Sequence, residues 1–217
     1  MPITVVIADD HGLVREGLQT LLERQPGFTV VGLAHNGRAA LELVTKHTPD
    51  IAVLDIGMPD LNGIDATRAI RAAVPRVKVI ALSMHADRQF VRRMFEAGAS
   101  GYLLKDCAFE ELLRAIQTVM EGNAYISPGI AGVVLDSLMD KEHPAASSGA
   151  LQLTDRERQT LQLLAEGKTT KEIAGTIGVS VKTVETFRQQ IMGKLNLHTV
   201  AALTKFAIRE GITSVEN

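Results

Sequence analysis

The chain has 217 residues, 46% of them hydrophobic, with 23 Lys+Arg against 25 Asp+Glu for a formal net charge of -2. This is the composition of an ordinary globular protein with enough length for one large core or two small ones. No apolar run approaches the ~20 residues of a membrane-spanning helix, Asp9 and Asp10 follow the opening apolar stretch too closely for a signal peptide, and a lone Cys107 excludes an internal disulfide; a cytoplasmic protein with no membrane partner is expected.

From the start, short β-rich runs alternate with longer helical ones. Ile3–Ala8, Phe28–Ala34, Ile51–Leu54, Val77–Leu82 and Gly101–Leu104 read as strands. Helices are expected near Leu13–Arg24, Gly37–Lys46, Asn62–Ala73, Asp87–Ala97 and Phe109–Glu121, with Leu18, Leu21 and Leu22 placed on one face of the first. This rhythm predicts an α/β fold, a doubly wound five-stranded parallel sheet of order 2-1-3-4-5 whose crevice lies between strands 1 and 3. Strand 3 is the pivot. Its four apolar residues Ile51-Ala52-Val53-Leu54 read as covered on both faces, and they run straight into Asp55 and the turn Gly57-Met58-Pro59.

Groups just beyond the carboxyl ends of such strands form functional sites. Strand 1 ends in Asp9-Asp10, strand 3 in Asp55, strand 4 in Ser83 and strand 5 in Lys105, so four segments deliver polar groups to one edge. Three clustered carboxylates repel one another unless a cation sits among them, and an oxygen-only set suits Mg²⁺. Asp10 and Asp55 are expected as direct ligands, Asp9 directly or through water, and Gly57 through its carbonyl. A carboxylate so placed can accept a phosphoryl group, with Lys105 and the Ser83 hydroxyl available to its oxygens.

These residues match a known pattern. Asp9-Asp10-His11, Asp55-Ile56-Gly57-Met58-Pro59, Asn62-Gly63, Leu82-Ser83 and Gly101-Tyr102-Leu103-Leu104-Lys105 make the chain resemble a bacterial response regulator, with a receiver domain of the kind phosphorylated by sensor histidine kinases. The resemblance implies Asp55 as phospho-acceptor, Asp9 and Asp10 as metal-binding acids, Ser83 with Lys105 as the switch pair, and Tyr102 as an aromatic that rotates inward when Ser83 moves toward the phosphoryl group. Phosphatases of the haloacid-dehalogenase type also use a strand-end Asp with Ser or Thr, Lys and Mg²⁺, but they need a second acid two residues on. That position is Gly57, so an aspartyl-phosphate phosphatase lacks its general acid here and no enzyme of that kind is expected. A phosphate-independent interaction module is the other alternative.

After residue 123 the pattern changes. Ser127-Pro128 opens a helix expected to reach about Met139, belonging to either domain or to an interface, followed by the small-residue linker Glu142–Gly149. From Leu151 the pattern is helical throughout: Thr154 and Glu157 form a capping box, Gly167 ends that helix, Thr170–Ile177 makes a short one, and after Gly178-Val179-Ser180 a longer one runs from Val181 or Lys182 to Leu195. A last helix is expected over His198–Arg209, with Val200, Leu203, Phe206 and Ala207 as core or interface. Val184, Phe187, Ile191 and Leu195 recur at core spacing, which turns Lys182, Thr183, Glu185, Thr186, Gln189 and Gln190 outward. The wording of Leu153–Glu157, Gly167–Ala174 and Ser180–Thr186 resembles a LuxR-type DNA-binding domain, and with the receiver the whole chain resembles the NarL/FixJ response regulators. Charge is divided accordingly: 14 Lys+Arg against 18 Asp+Glu over 1–150, net -4, and 9 against 7 over 151–217, net +2.

The expectation is therefore a receiver over 1–123, a linker with a helix over 124–150, and a small all-α helix-turn-helix domain over 151–217. Phosphorylation of Asp55 would control dimerisation and sequence-specific binding of double-stranded DNA through Lys171, Lys182, Thr183, Glu185, Thr186, Gln189 and Lys194, with a sensor histidine kinase, a second copy of the chain and RNA polymerase as partners.

Overall fold

A computed structural model describes residues 1–84, 86–107, 109–132 and 153–213, which divide into two compact units, one built on a sheet and one made of helices. The expected helix beyond residue 132 and the linker Glu142–Gly149 lie outside the described residues.

The first unit runs β1 (Ile3–Ala8), α1 (Gly12–Glu23), β2 (Phe28–Ala34), α2 (Gly37–His47), β3 (Ile51–Asp55), α3 (Gly63–Ala73), β4 (Lys78–Ser83), α4 (Arg88–Glu96), β5 (Gly101–Leu104), α5 (Phe109–Met120) and β6 (Tyr125–Ile126). All strand pairs are parallel and the order is β2-β1-β3-β4-β5-β6. The expected doubly wound order is therefore present, but the sheet has six strands rather than five. The addition is a two-residue edge strand, held by Tyr125 N to Ser100 O at 3.0 Å and Ser127 N to Tyr102 O at 2.9 Å. Two residues are too few to carry a period.

Every residue of β3 is buried, as its unbroken apolar run requires when helices cover both faces. Alternation then sorts the sheet. Val5, Ile7, Val53, Ile80, Leu82 and Leu103 face α5, whose Leu112, Ala115, Ile116 and Val119 complete that core, with Val14 and Leu18 of α1 packed against it. Their neighbours in sequence, Ala81 and Tyr102, join Val91 and Met94 of α4 on the other side. Leu22 is fully buried with this arrangement, whereas Leu21 stands 39% exposed, because a step of one residue turns it ~100° away from the stripe.

Residues 125–132 continue the first unit past residue 123. Ile130 is fully buried against the cluster containing Tyr102, with Ile126 and Leu104 packed beside it.

The second unit comprises α6 (Asp155–Ala165), α7 (Thr170–Ile177), α8 (Val181–Leu195) and α9 (Val200–Arg209). Thr154 and Thr169 both form capping boxes, with Glu157 and Glu172. Gly178 closes α7 at φ 70, a conformation suited to glycine, and the Ser180 hydroxyl then caps α8. The last helix starts two residues later than expected, because Thr199 rather than His198 supplies the cap. Two apolar clusters hold the unit together: Leu161, Ile191, Leu203, Phe206 and Ala207, and Leu163, Ile173, Ile177 and Val184 with Phe187 against them. Val200 is 41% exposed.

Candidate functional site

The carboxyl ends of β1, β3, β4 and β5 meet as their parallel register dictates. Asp9 is 1% exposed and Asp55 5%. Lys105 Nζ lies between them, 2.9 Å from Asp9 Oδ2 and 2.8 Å from Asp55 Oδ2. Its backbone is fixed by Lys105 N to Ser83 O at 2.8 Å, so Lys105 and Ser83 are positioned by one hydrogen bond across the sheet edge. Asp10 is more open and pairs with His11 Nδ1 at 2.8 Å; the same ring nitrogen is 3.3 Å from Asp9 Oδ1.

Burial pushes the Asp55 carboxyl above the ordinary carboxylate range, Lys105 pulls against this, and Asp10 adds to the upward shift. For Lys105, burial acts to lower the ammonium's pKa, but the attraction of Asp55 and Asp9 outweighs it and the net is upward. Asp9 and Asp55 thus share the Lys105 ammonium, with Asp10 in the same cluster of carboxyl groups.

Asp9, Asp10, His11 and Asp55 each offer a ligand atom, all within 4.8 Å of one another. Asp9 Oδ2 and Asp10 Oδ1 are buried without a hydrogen bond, although a cationic or imidazole nitrogen lies near each. A side chain at Gly57 would meet nothing within 4 Å, so that flank is open, and Gly57 N donates to Asp55 Oδ1 at 3.3 Å. An oxygen-rich donor set with an open flank fits a hard divalent cation. Gly63 serves the site differently: a Cβ there would collide with the Asp55 carbonyl oxygen, so only glycine lets α3 start this close to β3. Asn62 holds that start by capping the Asp65 amide at 2.9 Å.

Tyr102 is fully buried and its hydroxyl is hydrogen-bonded with Ser83; burial raises its pKa to about 12. The ring is therefore already inward in this structure.

On the second unit, Lys171, Lys182, Glu185, Thr186 and Gln189 are exposed as the helical spacing predicts, and Thr183 is half-buried. Lys194 is engaged within the protein, its Nζ 2.6 Å from Glu157 Oε2. Sequence reading offered it as a DNA contact and missed this pairing, because the two partners lie 37 positions apart and nothing local links them.

Residues 5–117 match the response regulator receiver domain and 151–207 match the bacterial regulatory proteins of the luxR family. The transcriptional regulatory protein MctR of Rhizobium johnstonii is 38% identical over 98% of this chain and 96% of its own length. The response regulator UvrY of Escherichia coli K12 is 35% identical over 99% and 97%. A crystal structure of a LuxR-family two-component response regulator from Aurantimonas is 37% identical, with TM-score 0.62, over 64% of this chain and 100% of that one. The chain belongs to the response regulators. It is a transcription-regulating member with a receiver and a LuxR-type helix-turn-helix, of the NarL/FixJ kind. No helix among the described residues of this response regulator is long and apolar enough to cross a membrane.

Proposed function

We propose that Asp55 accepts a phosphoryl group and that its phosphorylation governs dimerisation and sequence-specific DNA binding through α8. The observation carrying this reading is the convergence of Asp9, Asp10, Asp55 and Lys105 on one sheet edge, with a single ammonium 2.8 and 2.9 Å from two buried carboxylates. An Asp55 carboxylate oxygen bonds to phosphorus as the donor's P–N bond, in a phosphohistidine of a sensor kinase, or P–O bond, in acetyl phosphate, breaks; the electron pair leaves with the donor, and a departing imidazole takes up a proton. Lys105 and the Ser83 hydroxyl turn to the phosphoryl oxygens, and Tyr102, hydrogen-bonded with Ser83, registers that move. Asp9, Asp10, Asp55 and the Gly57 carbonyl would hold Mg²⁺, which supplies Lewis-acid neutralisation of the phosphoryl oxygens.

Gly57 provides no general acid to drive hydrolysis, so the acyl phosphate persists and the chain acts as a regulator rather than a turnover enzyme. Lys171, Lys182, Thr183, Glu185, Thr186 and Gln189 supply the DNA face, while Lys194 is occupied by Glu157. The partners are then a sensor histidine kinase, a second copy of the chain, double-stranded DNA and RNA polymerase, all met in the cytoplasm.

Treatment with acetyl phosphate and Mg²⁺ adds one phosphoryl mass to the wild type and none to Asp55→Asn, which removes the nucleophile without changing side-chain volume. A phosphorylated Asn variant excludes Asp55 as the acceptor. Asp10→Ala instead weakens Mg²⁺ binding, and an unchanged affinity removes Asp10 from the ligand set.

A further inference from the structure

Side chains on the outer face of α8 fall into two groups. Thr183 Oγ1 is 2.8 Å from Ser180 Oγ, the Thr186 hydroxyl donates to the Lys182 carbonyl at 3.0 Å, and Lys194 pairs with Glu157 at 2.6 Å. Lys182, Glu185 and Gln189 are exposed, and among the described residues their side chains make no hydrogen bond or ion pair. Steps of three and four place these three in one stripe, with Glu185 in the middle.

A carboxylate is the wrong charge for a surface that meets phosphates, so its position needs a donor on the DNA. Base edges in the major groove differ in what they offer it. Guanine presents two acceptors and thymine an acceptor with a methyl group, while adenine pairs its N6 amine with the N7 acceptor, which repels a carboxylate. Cytosine alone presents an amine with no acceptor beside it. We propose that Glu185 is a specificity-determining residue that accepts a hydrogen bond from a cytosine N4 amine. The inference rests on the reading of α8 as the DNA-contacting helix.

The test uses the full-length chain, treated with acetyl phosphate and Mg²⁺, to select sites from a randomised duplex library. Wild type, Glu185→Ala and Glu185→Gln are then titrated on the selected site and on duplexes carrying each base at its cytosine positions. Wild type discriminates against the other bases at one cytosine by roughly 5- to 150-fold. Glu185→Ala removes that preference, and Glu185→Gln moves it toward adenine, whose N6 and N7 an amide satisfies together. Retained cytosine preference in both variants overturns the proposal. So does a uniform gain in affinity for all four bases, the signature of a carboxylate that only repels. A wild type that selects no sequence overturns the DNA-binding reading of α8 itself, whereas a selected site indifferent to residue 185 overturns only the role of Glu185.

Discussion

One oxygen of Glu157 accepts three contacts: Thr154 N at 2.7 Å, Thr154 Oγ1 at 3.0 Å and Lys194 Nζ at 2.6 Å. Burial acts to raise this carboxyl, but the Lys194 and Thr154 donors outweigh it and hold the pKa below the ordinary glutamate value of 4.5. Because the folded value is depressed, the stabilisation is fully present above the unfolded value and disappears as pH falls through the folded one. Glu157→Gln therefore lowers the stability of the second unit by about 1–3 kcal/mol at neutral pH, and the gap to wild type closes in acid. Methyl NMR signals of Ile173 and Ile191 followed through urea at each pH read this directly; a gap that persists in acid excludes the charged pair as its source. Lys194→Ala shares the neutral-pH loss while leaving the salt dependence of DNA binding unchanged, which separates its structural contact from a phosphate contact.

At the level of elements, β6 and helical residues 128–132 carry the receiver's edge onto the segment that follows it. Ile130 is buried in the same apolar cluster as Tyr102, and Tyr125 and Ser127 hydrogen-bond to the sheet. Ile130→Ala opens a cavity and costs the first unit about 2–5 kcal/mol. Both tyrosines lie in this unit and the chain has no tryptophan, so tyrosine emission during urea unfolding isolates the effect. An unchanged midpoint shows that the segment is not part of the receiver's folding unit. The longer elements were legible in the sequence because their signals are local: the apolar run of β3, the Thr154–Glu157 capping box and the glycine after Ile177. The pocket was legible too, since parallel strands must bring Asp9, Asp55 and Lys105 to the same edge. What stayed hidden depends on pairings with no local pattern: the two-residue β6, Ile130 in the cluster that holds Tyr102, the Gly63 approach to Asp55, and Lys194 against Glu157.

Over the whole molecule, the charge split assigns different electrostatics to the two halves. The half over residues 1–150 carries a net -4, and a phosphoryl group on Asp55 would add roughly -1.5 to -2 more to a pocket whose ammonium already serves two acids. The half over 151–217 carries only +2, too little for binding dominated by bulk attraction to a polyanion, so individual cations on α8 matter more. Lys182 is exposed at the start of α8 without a protein partner for its ammonium among the described residues. Lys182→Ala should weaken binding to specific and random duplexes alike and reduce the slope of log affinity against log salt by about 1, while acetyl phosphate still adds one phosphoryl group to Asp55. Asp55→Asn should do the reverse, keeping the salt slope of the untreated wild type but losing any response of DNA affinity to acetyl phosphate. Anisotropy titrations of the full-length proteins at several salt concentrations, with intact mass measured on the same samples, test both. A Lys182 variant with an unaltered slope removes that residue from the phosphate contacts, and an Asp55 variant whose affinity still rises on treatment breaks the link between the acidic pocket and the DNA-binding helix.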